Sequence, residues 1–146
     1  MDVMHAPWRM EYIMANNREE GCLFCRVLNE DKDDDNLVIL RRQHCFVMLN
    51  AYPYNNGHIM IVPNRHISEL AAMKHEELIE LIELTQFAEK ALRQAYSPEG
   101  INLGMNIGKA AGAGIAGHLH MHVLPRWSGD SNFMSTVAQA RVIPED

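Results

Sequence analysis

Residues 117–127 read GHLHMHVLPRW, and the reading of this stretch decides how the rest of the chain is understood. Side chains alternate across a strand, so His118, His120 and His122 share one face, while Leu119, Met121 and Val123 take the other, toward the core. A single histidine on such a strand is ordinarily a hydrogen-bonded structural residue. Three in strict alternation, directly after a glycine-rich loop, point instead to chemistry. The residues alone leave two kinds open. Imidazoles two apart on a strand can share a metal ion. The same row can also hold and attack a phosphate, because neutral imidazole is a nucleophile and ring N–H groups stabilise developing negative charge.

Just upstream, residues 108–117 (GKAAGAGIAG) are too rich in Gly and Ala to form a core element, but such a loop exposes N–H groups to an anion. It is not a nucleotide-binding P-loop: Gly108-Lys109 lacks the following Ser or Thr, and a strand comes next. Further back, 37–41 (LVILR), 45–49 (CFVML) and 58–62 (HIMIV) read as strands, the third stopped by Pro63. Gln43 and His44 form a tight turn, and 50–57 (NAYPYNNG) is a loop. A helix is expected from His75 to Tyr96, with Leu78, Leu81, Ile82, Thr85, Ala88, Leu92 and Ala95 at helical spacing, ended by Ser97, Pro98 and Gly100. Strands at 101–107 and 118–124 follow, with a last one at 137–143. The short connections predict an antiparallel sheet of about five strands with the long helix on one face, an α+β fold. The acidic run 29–36 (NEDKDDDN) reads as a solvated loop, since it lacks the Gly and terminal Glu of a calcium-binding EF-hand.

The 146 residues fit one domain, and 47% hydrophobic with 22% charged residues is a globular balance. A net charge of −6 weighs against a nucleic-acid binder, yet permits a local phosphate pocket. The cysteine count is odd (Cys22, Cys25 and Cys45), and the stretch with Asp2, Trp8, Arg9 and Glu11 has no apolar signal core. Both features point to a reducing compartment, the cytoplasm, rather than to a disulfide framework. No apolar run approaches the roughly 18 residues needed to span a membrane. Cys22-Leu23-Phe24-Cys25 has zinc-knuckle spacing, a weak signal alone. Cys45 reads as a small buried residue, and His5, His44 and His75 as surface residues.

His118-Leu119-His120-Met121-His122-Val123-Leu124 matches in full the His-φ-His-φ-His-φ-φ signature (φ apolar) of the histidine-triad family, which the chain resembles well beyond this strand. Asn50 with Pro53, Gly57, His58, Pro63 and His66 matches the family's upstream loop and strand, and residues 102–114 match its phosphate loop. The segments 8–13, 22–25 and 125–134 look like one branch, the dinucleoside polyphosphate phosphorylases or adenylyltransferases. The likeness covers residues 7–144 and implies a single domain of this kind over 1–146.

The resemblance also implies roles. His120, flanked by His118 as first member of the triad, would attack the α-phosphorus and become nucleotidylated. His122 and His58 would contact the α-phosphate, and Asn50 the ribose. Asn106 and the backbone of Gly108, Gly112, Ala113 and Gly114 would cradle phosphate oxygens, and Trp127 is a branch feature placed with the substrate. Adenine nucleotides are the implied substrates. Some family members hold a structural zinc at the positions of Cys22, Cys25, His66 and His118; no organic cofactor is implied. A homodimer through the long helix and a strand is expected too, since 78–84 (LIELIEL) exceeds one apolar stripe. Relatives often continue into another helix, so a chain ending at Asp146 is expected to be a minimal or shortened form. In the hydrolase branch a Gln stands four residues before the triad. Here that position is Gly114, which favours phosphate over water as acceptor, although the Ser frequent nearby in phosphorylases is also missing. The alternatives are a hydrolase of dinucleoside polyphosphates or nucleoside phosphoramidates, a nucleotide sensor without turnover, and a cupin-like metal enzyme.

Overall fold

The structure, a computed structural model, describes residues 21–51 and 57–130. The expected strand at 137–143, the segment 8–13, His5 and Pro53 lie outside the described residues. The strands are β1 (Val38–Arg41), β2 (Cys45–Leu49), β3 (Ile59–Pro63), β4 (Gly100–Gly104) and β5 (Met121–Arg126). They form one antiparallel sheet in the order β1-β2-β3-β5-β4. The turn between β1 and β2 is closed by the Arg42 N–H donating to the Cys45 carbonyl at 2.9 Å. Pro63 belongs to β3 as its last residue, opposite Cys45, where a missing N–H is tolerated.

β2 and β3 are apolar on both faces because both faces are covered. On one side lies the long helix, His75–Tyr96, with the expected bounds. The Lys74 N–H donates to the Glu77 carboxylate at 2.8 Å at its start, and Ser97 ends it in the left-handed region at φ 46°. Leu81, Leu84, Ala88 and Leu92 pack onto Val47, Ile59, Ile61, Leu119 and Val123. Ile82 and Ala95 point outward, contrary to the expected stripe, and Leu84 takes the inward place, because the buried line runs 77-81-84-88-92.

The other side carries an element that sequence patterning did not suggest, a short helix at Leu23–Asn29. Its Phe24 and Val27 cover Phe46, Met48, Met60 and Val62. Arg41 ties the chain after this helix to β1: it donates to the Val27, Leu28 and Glu30 carbonyls and to both oxygens of Asp33. The acidic run is therefore anchored at Asp33 rather than wholly solvated. Cys45 is fully buried as expected, His44 is half-buried, and His75 is exposed.

Two strand limits need correction. β4 ends at Gly104, not at 107, and β5 begins at Met121, so His118 and His120 precede the ladder. The reason is the local pairing: Gly104 opposes His122, Ile61 opposes Met121, and two residues before Met121 the Leu119 N–H turns aside to the Ile67 carbonyl at 2.7 Å. The alternation of faces survives this change, with Leu119 and Val123 in the helix-side core. Among the described residues no helix is long and apolar enough to cross a membrane.

Candidate active site

All three triad histidines and His58 are buried on the sheet face opposite the long helix. Phe24 holds the row from above, with its ring centroid 5.4 Å from that of His118 and 4.9 Å from that of His120. The His120 and His122 centroids are 4.7 Å apart. Phe24, which sequence reasoning missed, comes from between the two cysteines of the CLFC stretch; its signal was the apolar residue inside that spacing.

Hydrogen-bond partners fix which nitrogen of each ring carries the proton. A carbonyl only accepts, so His120 donates from Nδ1 to the His118 carbonyl at 2.9 Å, which leaves its lone pair on Nε2. Likewise His118 donates from Nε2 to the Pro63 carbonyl at 2.7 Å and keeps its lone pair on Nδ1. His58 Nε2 and His122 Nδ1 meet at 2.7 Å, and Asn50 Nδ2 meets His58 Nδ1 at 3.3 Å. Burial pushes the His120 imidazole down to about 4, against which the bond to the His118 carbonyl acts only in part. The ring is thus neutral near pH 7, as a nucleophile must be.

His118 Nδ1 faces a second group. It lies 3.3 Å from Cys22 Sγ and 3.5 Å from Cys25 Sγ, while His66 Nδ1 is 3.4 Å from Cys25 Sγ. One ligand atom from each of Cys22, Cys25, His66 and His118 lies within 4.8 Å of all the others. A tetrahedral zinc with ordinary Zn–S and Zn–N bonds has S···N edges of about 3.6 Å, so these spacings suit a shared cation. Burial, with the Cys22 thiol beside it, raises the Cys25 thiol above its ordinary value, an effect a divalent cation reverses. The donor set therefore fits a closed structural site.

The phosphate loop is only partly open. Gly108 and Gly112 have φ of 86° and 94°, conformations that need glycine. The N–H groups of Ala111 and Ala113 donate to the Gly108 carbonyl and that of Gly112 to Lys109, so these three are used inside the loop. Asn106 Nδ2 reaches the Gly112 carbonyl at 3.5 Å. Ile115, one residue beyond Gly114, packs against the short-helix core and draws the loop's end onto the histidine face.

Trp127 is not brought to the histidines. It lies five residues past His122 along an extended strand, roughly 16 Å away at the usual rise. Its ring meets Tyr96 edge-on at 6.4 Å, and its backbone N–H donates to the Asp130 carboxylate at 3.0 Å. Sequence reasoning also missed Arg126, which anchors this corner by gripping the Asp130 carboxylate and donating to Asn102 Oδ1. Nothing in the Arg-Trp-Ser-Gly-Asp order announces that contact beyond the i, i+4 charge pair.

Comparison with known proteins agrees with this geometry. A model of the HIT domain matches residues 31–129. A curated relative, the AP-4-A phosphorylase of Mycobacterium tuberculosis, is 43% identical over 95% of this chain and 75% of its own length. A zinc-bound histidine triad protein from Mycobacterium smegmatis superposes with a TM-score of 0.66 at 28% identity, over 77% of this chain and 81% of that one. A HIT-family protein from Bacillus subtilis shares the fold, with a TM-score of 0.70 at 23% identity over 87% of this chain and 84% of the other.

Proposed function

The chain belongs to the HIT-domain family, and from that premise we propose that it cleaves dinucleoside polyphosphates such as diadenosine tetraphosphate by phosphorolysis, through a nucleotidyl intermediate on His120. The observation that carries the reading is the tautomer of His120: its Nδ1–H is held by the His118 carbonyl, so Nε2 is the nucleophilic nitrogen. Nε2 attacks the α-phosphorus, an N–P bond forms, and the bond to the bridging oxygen breaks, releasing ATP. Inorganic phosphate then attacks the same phosphorus, the N–P bond breaks, and ADP leaves with the ring neutral again. His122, its ring centroid 4.7 Å from that of His120, hydrogen-bonds the α-phosphate, and His58, whose two ring nitrogens meet His122 and Asn50, supports His122 rather than reaching the phosphate itself. Asn50 holds the ribose, and Asn106 with the backbone of Gly108 and Gly114 holds phosphate oxygens, stabilising charge as it develops, while the N–H groups of Gly112 and Ala113 shape the loop.

Phosphate rather than water is assigned as acceptor on two grounds: the 43% identical relative named a phosphorylase, and Gly114 in place of a side-chain amide. Labelled inorganic phosphate supplied with diadenosine tetraphosphate is expected to appear in ADP. If no label enters nucleotide and AMP accumulates instead, water is the acceptor and the hydrolase reading replaces this one.

We assign zinc to the Cys22, Cys25, His66 and His118 group. Thiolate ligation suits a reducing compartment such as the cytoplasm. We also assign a homodimer. β4 is an edge strand with Leu103 exposed on it and Ile107 exposed beyond its end, and Ile79 and Ile82 stand exposed on the long helix. Sedimentation should give twice the chain mass, and Ile82→Glu should lower it toward the monomer.

A further inference from the structure

We infer that Asn50 is a positioning residue for the phosphate chemistry: its amide acts through His58 to hold His122 in the form that carries its proton on Nε2. The inference rests on the reading above for its catalytic meaning, but concerns the ring protonation of the protein without substrate.

With the Asn50 amide nitrogen turned toward His58, each protonation sets the next. An amide nitrogen only donates, so at 3.3 Å from Asn50 Nδ2 the His58 Nδ1 must accept. A neutral His58 then carries its proton on Nε2. That atom is 2.7 Å from His122 Nδ1, which must accept in turn. His122 is left with its proton on Nε2. The reverse assignment would set a donor against a donor at Asn50, inside a region where His58 and His122 are 1% and 6% exposed. The sheet fixes the three residues in place. The Asn50 N–H donates to the His58 carbonyl at 2.9 Å across the loop between β2 and β3, and Met60, two residues on, is the strand partner of His122.

The triad thus presents opposite tautomers side by side. His120 is set by the His118 carbonyl with its lone pair on Nε2, while His122 is set by Asn50 with a proton there. One is fit to attack phosphorus and the other to hold a phosphate oxygen. Nucleophile and donor are told apart by two chains of hydrogen bonds, one starting at the His118 carbonyl just before β5 and the other at the Asn50 amide just after β2. The resemblance also gives Asn50 a hydrogen bond to the ribose, so sugar and phosphate are joined through three side chains. An aspartate at this position would keep an acceptor for the sugar and lose the donor to His58.

The test is a two-bond proton–nitrogen correlation spectrum of the full, metal-loaded protein with labelled histidines, above the pH at which the rings titrate. Signals are assigned by their loss in His58→Gln and His122→Gln. In the wild type His58 and His122 should both be Nε2–H tautomers, and His120 the Nδ1–H tautomer. In Asn50→Asp the carboxylate only accepts, so His58 should gain a proton on Nδ1. Turnover of diadenosine tetraphosphate should then fall about 100-fold in kcat, the effect of one misplaced transition-state donor, with KM within a few-fold. A wild-type His58 carrying its proton on Nδ1 overturns the inference without need of any variant. An unchanged His58 in Asn50→Asp overturns it as well. Tautomers as stated in a protein that transfers no label from phosphate would refute the phosphorylase reading and leave this inference standing.

Discussion

Lowering the pH should remove stability from this protein through one buried ring. His120 sits under Phe24 and is 5% exposed, and burial holds its imidazole at about 4 against an ordinary 6.5. The folded value is the lower one, so the unfolded chain binds the proton first. The associated stability is fully present above pH 6.5 and is lost as the pH falls toward 4. Evaluated between pH 7 and pH 5, these two values give a loss of about 2 kcal/mol. Other groups in the protein also titrate on acidification, so the measurement must isolate this ring. His120→Gln keeps a polar side chain and cannot take up the proton. Urea unfolding of both proteins at the two pH values gives a double difference in which the shared contributions cancel. The wild type should lose about 2 kcal/mol more than the variant on acidification. Parallel losses in the two proteins would show that the ring is solvated and not held neutral, and the argument for a neutral nucleophile would go with it.

With zinc held as proposed, its removal should lower thermal stability, because a cation among Cys22, Cys25, His66 and His118 would tie the short helix to the segments after β3 and before β5, and metal analysis of protein purified without additions should find about one zinc per chain. No zinc in metal-replete protein would refute that assignment. Gly57 has φ 80°, and an added Cβ would stand 2.8 Å from the Tyr96 ring and 3.1 Å from Leu92, so Gly57→Ala should destabilise by more than about 1 kcal/mol in thermal melts. The Glu77 carboxylate is buried, caps the long helix and pairs with Arg65, which lowers it below the usual carboxylate range. Arg65 is half in solvent, so Arg65→Ala should cost about 1–2 kcal/mol rather than the full cost of an orphaned charge, read from urea midpoints.

The parts of this molecule that were legible in the sequence are those governed by local periodicity. The helix at His75–Tyr96 follows from its spacing and its stop signal, and β2 from a five-residue apolar run. The histidine face follows from alternation, which outlasts the hydrogen-bonded ladder itself. What was not legible depends on partners distant in sequence. The limits of β5 are set by where β3 and β4 stop pairing, and no pattern in 118–124 encodes that. Ile82 and Leu84 are equally apolar, and only the position of the sheet decides which is buried. The short helix reads as a cysteine knuckle because Phe24 has no meaning until the histidine rings lie beneath it. The loop 108–114 was expected to offer its whole backbone to phosphate, whereas three of its N–H groups satisfy the loop's own carbonyls. The four members of the cysteine–histidine group were expected together from a resemblance, and their atoms do converge.

That convergence has a kinetic side. Cys22 and His118 are 96 positions apart, and Cys25 and His66 are 41 apart. Closing the longer loop costs about 4 kcal/mol of chain entropy from its length-dependent part alone. The strand pairs and the packing of Phe24 on Phe46 form over shorter separations than Cys22 and His118, so closure of that one contact is a late event in folding. Interactions that form after the transition state leave the folding rate alone and slow unfolding. The short helix is then also the first element to lift away, and Phe24 leaves with it. His120 would be uncovered by that partial opening long before the sheet comes apart. The lifetime of the covered arrangement is set by how rarely one seven-residue helix detaches, so the protein can lose the shelter over His120 while still appearing folded by its strands and its long helix.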